Sequence, residues 1–275
     1  MARIPWEEQL EHLYGEWPLP EAELKALLDR SLSPRDSTML VRKLGSLSLK
    51  PSHRVLDIGC RDARYACQIS MEYACQVLAI DPFELNLQKS NRTILEMKQA
   101  ERVRVRRGWI EEIPVRDKDF HFVWCRDVLT HVLELTTALQ ECRRVLMPGG
   151  KVLLYHTLAT SFLEPGEAAR LFEPLAVVPQ NLNQEYFERC VQEAGLRIVE
   201  SESIGSEWRE CWEEEGKATT SHQLLRISRM IRNRETLVET LGEALYNIEM
   251  ANCHWGVYQM LGKLSPHVYV LEPLP

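Results

Sequence analysis

The sequence predicts an α/β fold: a doubly wound, seven-stranded, mostly parallel sheet with a helical N-terminal segment and a helical lid insertion. Three observations carry this. Short apolar runs alternate with helical patterns from residue 51 to residue 157, as parallel strands joined by right-handed crossovers require. Two further strand candidates follow residue 195, separated by a long helical stretch that fits an insertion into a final antiparallel hairpin. The chain has 275 residues, 45% of them hydrophobic, enough for one large domain with a sizeable core.

Residues 1–50 read as helical. Leu10, Leu13 and Tyr14 share a partial helical period, Pro18 and Pro20 interrupt it, and Glu21 to Leu28 resumes it. Ser33-Pro34-Arg35-Asp36 looks like an N-cap with proline in the first turn, and Met39, Leu40, Leu44 and Leu47 then line one face. This segment is either an amphipathic wrapper or a lid over a site. The first strand is Arg54 to Ile58, followed by a helix over Asp62 to Tyr73. The next strand is Gln76 to Ile80 and its helix Phe83 to Gln99. In the third strand, Val103 to Arg107, arginine alternates with valine, which suits a sheet edge where outward charge blocks further pairing. Phe120 to Cys125 is the fourth strand and Leu135 to Leu146 a helix. Lys151 to His156 is the fifth strand, after the Pro148-Gly149-Gly150 turn. Gln184 to Ala194 is a helix closed by Gly195, Leu196 to Ser203 the sixth strand and Val268 to Leu271 the last. The domain reading is a cap over 1–50, a core over 51–205 and 263–275, and a helical lid over 206–262.

Composition excludes several function classes. With 33 Lys and Arg against 40 Asp and Glu, the net charge is −7, whereas a general nucleic-acid binder needs a basic surface. No run approaches the roughly 20 apolar residues of a membrane helix, and the N-terminus lacks the apolar centre of a signal peptide. The expectation is a cytoplasmic protein, monomeric or homodimeric, that contacts neither membrane nor nucleic acid. The eight cysteines contain no CxxC pair and read as reduced, buried small hydrophobes. No His/Asp/Glu spacing suggests a metal.

In an open α/β sheet, ligands bind beyond the carboxyl ends of the strands. The loop after the first strand reads Asp57-Ile58-Gly59-Cys60-Arg61-Asp62-Ala63-Arg64. Its glycine permits a tight turn, and the helix that follows offers amides to a negative group. Asp81-Pro82 opens the next loop, and an acid there suits a ribose diol. Arg61 and Arg64 stand where a dinucleotide fingerprint needs glycine, so NAD and FAD are disfavoured, and no P-loop is present.

Five blocks occur in order: Val55-Leu56-Asp57-Ile58-Gly59-Cys60, Ile80-Asp81, Gly108-Trp109-Ile110-Glu111-Glu112-Ile113-Pro114, Trp124-Cys125-Arg126-Asp127-Val128-Leu129-Thr130-His131-Val132 and Arg144-Val145-Leu146-Met147-Pro148-Gly149-Gly150. Together they resemble the successive motifs of class I S-adenosylmethionine-dependent methyltransferases, over about residues 51–157. The resemblance implies a Rossmann-like methyltransferase fold with S-adenosyl-L-methionine as cofactor and S-adenosyl-L-homocysteine as product. It also implies roles. Asp57 orients waters or the cofactor amino group, Gly59 admits the methionine part, Asp81 with Pro82 holds the ribose, and Trp109, Ile110 and Glu111 surround adenine. Arg126 presents its carbonyl or its side chain to the amino-acid moiety. Arg61 and Ala63 depart from the family's later glycines. Either Arg61 pairs with the cofactor carboxylate, or binding is lost and the chain is an inactive scaffold. Trp109 either stacks on adenine or belongs to the core.

The segment Arg126-Asp127-x-x-x-His131 resembles the same place in phosphoethanolamine and glycine/sarcosine N-methyltransferases. The resemblance puts His131 at the methyl acceptor, with Tyr14 as its partner. The expected reaction is in-line methyl transfer to nitrogen or oxygen of a small-molecule acceptor, with His131 taking a proton near neutral pH. Tyr155, His156, Trp208, Arg209 and Trp255 are expected to line the acceptor space, where aromatics enclose a cation or apolar group and arginines clamp an anion. The alternative is C-methylation of a prenyl diphosphate. Glu164 would then remove the proton, and Arg226, Arg229, Arg232 and Arg234 would dock the diphosphate or else form a solvated face.

Overall fold

The structure is a computed structural model and describes residues 6–15, 20–29, 31 and 35–275. It divides into two units, Met1–Pro34 and Arg35–Pro275. The first contains α1 (Trp6–Tyr14) and α2 (Glu21–Leu28), the latter entered through Pro20. Pro18, Ser33 and Pro34 lie outside the described residues.

The second unit is built on seven strands: β1 (Arg54–Ile58), β2 (Gln76–Asp81), β3 (Val103–Arg107), β4 (Phe120–Arg126), β5 (Leu146–Ala159), β6 (Leu196–Ser203) and β7 (Leu264–Pro273). Their order is β3-β2-β1-β4-β5-β7-β6. The first five pair in parallel, and β7 runs antiparallel between β5 and β6. The order reverses between β1 and β4, so a crevice opens beyond their carboxyl ends. The arginine-bearing β3 is an edge strand, as its alternation predicts. The helices between strands are α4 (Arg64–Tyr73), α5 (Glu84–Glu96), α6 (Leu135–Val145), α7 (Pro165–Phe172) and α8 (Gln184–Glu193), and α3 (Thr38–Ser46) precedes β1. Between β6 and β7 the chain forms α9 (Glu207–Glu214), α10 (Thr219–Arg232), α11 (Arg234–Leu241) and α12 (Glu243–Met260).

Three details differ from the expectation. Helix α3 starts at Thr38, whose N–H donates to Asp36 Oδ1 (3.0 Å), so Asp36 satisfies a donor of the first turn. Leu40, Val41 and Leu44 of α3 are buried with the sheet, so this helix belongs to the larger unit and not to a cap running over 1–50. Strand β5 starts at Leu146 and carries Pro148-Gly149-Gly150 within it; the register slips against β4 between Phe120 and Phe122 there. The residues read as a turn form an irregular strand entry instead.

Period-two alternation sorts the strands onto two cores. Leu56, Ile58, Val123, Cys125, Val152 and Leu154 face α6 and α8. Val55, Val77, Ala79, Trp124, Leu153 and Tyr155 face α3 and α4. Each fully buried leucine or isoleucine contributes about 1.5–3 kcal/mol. The same alternation decides which side chains reach the crevice, because Asp57 follows Val55 and Arg126 follows Trp124. All eight cysteines are buried and free. Among the described residues no helix is long and apolar enough to cross a membrane.

Candidate active site

The loop after β1 turns back onto β2. Gly59 and Cys60 donate their N–H groups to the Ile80 carbonyl at 2.9 and 3.0 Å. Gly59 has φ +68°, and a Cβ there would collide with Val128, so glycine is required. Arg61 and Ala63 adopt φ +52° and +55°, so the loop keeps a glycine-like path without glycine. Each such residue costs about 1–2 kcal/mol. Compensation comes from three contacts. Arg61 N–H donates to Asp81 Oδ2 (3.0 Å), Ser90 Oγ donates to the Arg61 carbonyl (3.2 Å), and Cys60 Sγ lies 3.6 Å from Ser90 Oγ. The Arg61 side chain points to solvent. What the loop contributes at this point is backbone rather than guanidinium.

Asp57 is buried, and its Oδ2 has no hydrogen-bond partner. Burial pushes its carboxyl up to about 8; nearby Arg126 opposes the rise and Asp81 adds to it. Asp81 is buried too, but its oxygens are engaged. Oδ1 accepts from Phe83 N–H and Asn86 Nδ2, both at 3.0 Å, and Oδ2 from Arg61. A carboxylate has about four acceptor positions, so one remains for a ligand hydroxyl unless the loop shifts. The Pro82 carbonyl accepts from Arg107 Nε (3.2 Å).

Beyond Asp81 stand two solvent-facing aromatic rings. Phe83 is 60% exposed and Trp109 53%, with their centroids 5.9 Å apart, edge to face. Trp109 is therefore not a core residue. Ile110 is buried beneath it and Glu111 is half-buried. Arg144 ties this loop to α6. It bonds Glu141, Asp117 and the carbonyls of Ile113 and Val115, while Ile113 N–H donates to Glu141 Oε2 (2.8 Å).

The Arg126 guanidinium lies 4.5 Å from the Tyr65 ring centroid, 5.6 Å from Tyr155 and 5.9 Å from Trp208. Tyr155 and Trp208 stack at 4.7 Å. Beside them is a cavity of about 120 Å³ bordered by Arg126, Asp127, Tyr155, Trp208, Arg209 and Trp255. Four residues expected at the acceptor space are thus brought together: Tyr155, Trp208, Arg209 and Trp255. Asp127 has φ +58°, a conformation aspartate tolerates, and its Oδ1 accepts from Thr157 Oγ1 (3.0 Å). Burial raises its pKa; the Thr157 hydrogen bond and then Arg126 oppose the rise.

Other expected residues lie elsewhere. His156 follows Tyr155 and so points to the opposite face of the sheet. It is fully buried on Phe187, and its Nε2 is 2.7 Å from the Asn181 carbonyl. Burial lowers its pKa to about 4, so the ring is neutral and Nε2 donates. The expectation that it lines the acceptor space is corrected. Asn181 Nδ2 in turn donates to Leu129 and Val132, both at 2.7 Å, clasping the 3-10 turn Leu129–His131. The His131 ring is exposed, its Nδ1 is 3.2 Å from the Ala176 carbonyl, and it does not border the cavity. Glu164 is exposed and enters a capping box with Glu167 at the start of α7, so it is a helix cap rather than a base. Tyr14 belongs to the first unit, where it is exposed.

Sequence reasoning missed Phe83, Asp127 and Gln259. Phe83 had a legible signal, an aromatic placed directly after Asp-Pro. Gln259 had none, since it reaches the cavity only through the fold of α12.

A family of methyltransferase domains matches residues 56–154. A glycine/sarcosine/dimethylglycine N-methyltransferase from Actinopolyspora halophila is 24% identical over 191 residues, covering 69% of this chain and 32% of that protein. The chain thus spans about a third of the length of that relative. The 27-O-demethylrifamycin SV methyltransferase of Amycolatopsis mediterranei is 26% identical over 210 residues, 75% of this chain and 73% of that one. Among solved structures, phosphoethanolamine N-methyltransferase 2 of Haemonchus contortus, in complex with S-adenosyl-L-methionine, superposes with a TM-score of 0.65. It is 20% identical, covering 89% of this chain and 54% of that one.

The residues present fit S-adenosylmethionine. The orphaned Asp57 Oδ2 lacks a donor such as an ammonium, the narrow loop over Gly59 leaves backbone to face a ligand, and Phe83 with Trp109 offers ring surface to a purine. By its motif order, its strand order and its relatives, the chain carries a methyltransferase domain over residues 56–154 on the sheet of the class I S-adenosylmethionine-dependent methyltransferase fold.

Proposed function

We propose that the protein transfers a methyl group from S-adenosyl-L-methionine to nitrogen or oxygen of a small-molecule acceptor, releasing S-adenosyl-L-homocysteine. One observation carries the reading: Arg126 neighbours the buried Asp57 on the donor side and borders the small cavity on the other. Donor and acceptor sites then share a wall.

In this reading Asp57 holds the donor's ammonium, and Gly59 and Arg61 line it with backbone. The free capacity of Asp81 takes a ribose hydroxyl, with Pro82 shaping the turn. Trp109, Ile110, Glu111 and Phe83 surround the purine. The bound cofactor supplies an electrophilic methyl carbon and a neutral leaving group. The protein's task is to align the acceptor and exclude water. Tyr155, Trp208, Arg209 and Trp255 do this at the cavity. We place proton removal at Asp127, which borders the cavity and whose carboxyl burial pushes above the ordinary carboxylate range. His131 acts as its charge neighbour, and the Tyr14–His131 pairing rests on the family resemblance alone.

The arginines expected to dock a prenyl diphosphate do not support that alternative. Arg226, Arg229, Arg232 and Arg234 are exposed on the insertion, Arg234 pairs with Glu243, and none borders the cavity. We read helices α9–α12 as the lid and the protein as cytoplasmic, working without nucleic acid as a monomer or homodimer. Calorimetric titration with S-adenosylmethionine, followed by a screen of metabolite extracts for gain of one methyl group, tests the proposal. Absence of binding at millimolar cofactor would refute it in favour of a scaffold.

A further inference from the structure

The crossover from β3 to β4 differs from its neighbours. Helices α4, α5 and α6 join β1 to β2, β2 to β3 and β4 to β5, whereas residues 108–119 join β3 to β4 without a helix. Parallel sheets are ordinarily covered on both faces. Here β2 and β3 are left partly open on the α6 side, and a cleft of about 780 Å³ lies over them. Its floor is the half-buried Leu78 of β2, and Ile113, Pro114 and Val115 border it from the loop. That loop is held in place. Gly108 has no room for a Cβ, which would lie 2.6 Å from Pro114 Cδ, and Arg144 donates to the carbonyls of Ile113 and Val115 at 2.9 and 3.0 Å. Trp109 borders the cleft, but Asp57, Gly59, Asp81 and Phe83 do not, so it is separate from the donor side.

Three arginines from three elements meet there: Arg54 opens β1, Arg106 lies in β3 and Arg116 in the loop. Arg54 pairs with Asp119 and lies 4.9 Å over the Phe120 ring. Arg106 donates to the Pro114 carbonyl (2.6 Å), and among the described residues neither it nor Arg116 has a carboxylate within ion-pair distance. Asp117 and Asp119, close to Arg116 in the chain, are taken by Arg144 and Arg54. The remaining acid at the cleft, Glu112, stands beside Trp109, whose carbonyl accepts its N–H (3.3 Å). Shielding a sheet edge accounts for the arginines of β3 but calls for neither Arg116 nor a hollow of this size.

We propose that this cleft is a second ligand site, apart from the donor and acceptor sites, and that it takes a phosphate monoester carried on an apolar ring. Arg106 and Arg116 hold the phosphate. Such a group carries nearly two negative charges at neutral pH and three acceptor oxygens, which suits two guanidiniums from different elements better than a carboxylate does. The ring lies on Leu78 and Val115, with Pro114 and Trp109 offering flat surface. The volume of about 780 Å³ falls within the roughly 300–1,000 Å³ of small-molecule sites. Such a site stands whether or not the chain transfers methyl groups.

The full chain is titrated calorimetrically with naphthyl phosphate, naphthoate and inorganic phosphate at constant ionic strength, with and without saturating S-adenosylhomocysteine. Naphthyl phosphate is expected to bind at least tenfold more tightly than either of the others, and to bind also when S-adenosylhomocysteine is present. Arg106→Gln and Arg116→Gln should each lower that affinity at least fivefold, and the exposed Arg229→Gln should leave it unchanged. Phosphatidylcholine vesicles carrying phosphatidic acid present the same head on aliphatic tails and should not cosediment the protein. Equal affinity for naphthoate, insensitivity to both cleft variants, or displacement by S-adenosylhomocysteine would overturn the proposal, as would retention on the vesicles in place of naphthyl phosphate binding. S-adenosylmethionine is titrated separately, and its failure to bind would refute methyl transfer while leaving a selective cleft intact.

Discussion

Burying Asp57 is costly to the fold, and the cost has a pH signature. Its carboxyl has an ordinary pKa of 3.8, and burial raises it to about 8. Between those values the unfolded chain releases a proton that the folded chain keeps. Stability therefore falls as pH rises, by up to about 1.4 kcal/mol per pH unit, and levels off above about 8. His156 runs the other way. Its pKa drops from 6.5 to about 4, so stability is gained as pH rises across that interval and is constant above it. The two slopes oppose each other below pH 6.5, which leaves pH 6.5–8 as the window where Asp57 acts unopposed by His156. Over that window the loss is about 2 kcal/mol, or about 4–8 °C in melting temperature for a domain of this size. Asp57→Asn removes the titrating group while keeping its shape. Urea or thermal unfolding at pH 6.5, 7 and 8 should show the parent losing stability and the variant losing less, so that the variant is the more stable at pH 8. Parallel pH profiles for the two proteins, or a variant less stable at pH 8, would refute the burial argument.

Other perturbations separate the parts of the site. Asp81→Ala should weaken S-adenosylmethionine by about 1–3 kcal/mol in calorimetry and also loosen the first loop, because Arg61 N–H loses its acceptor. Asp127→Asn should cut turnover by about 10²–10⁴ while leaving cofactor affinity nearly intact. His131→Ala, measured beside it, should cost less, and equal losses would return the base role to His131. Asn181→Ala should destabilise the fold by about 2–4 kcal/mol in urea unfolding, since the Leu129 and Val132 carbonyls lose a buried donor. Ala63→Gly should leave stability within about 1 kcal/mol of the parent, because relief of the left-handed backbone is set against greater freedom of the unfolded chain.

The amino-acid sequence by itself determined the sheet and where the residues proposed for the donor site fall on it. Periodicity marks the strands, turn residues mark their ends, and Asp57, Gly59, Asp81 and Trp109 sit in loops whose place follows from strand order, so local patterns suffice. It also carried enough information to separate Tyr155 from His156, since neighbouring residues on a strand face opposite ways. Only the tertiary structure decided which residues border the small cavity. Arg209 and Gln259 are 50 residues apart and meet through the packing of α9 against α12; no spacing records that approach. Whether an arginine meets a carboxylate, an amide or solvent depends on which helices cross, and in this protein that crossing sets Arg209 against the amides of Gln259 and Gln223.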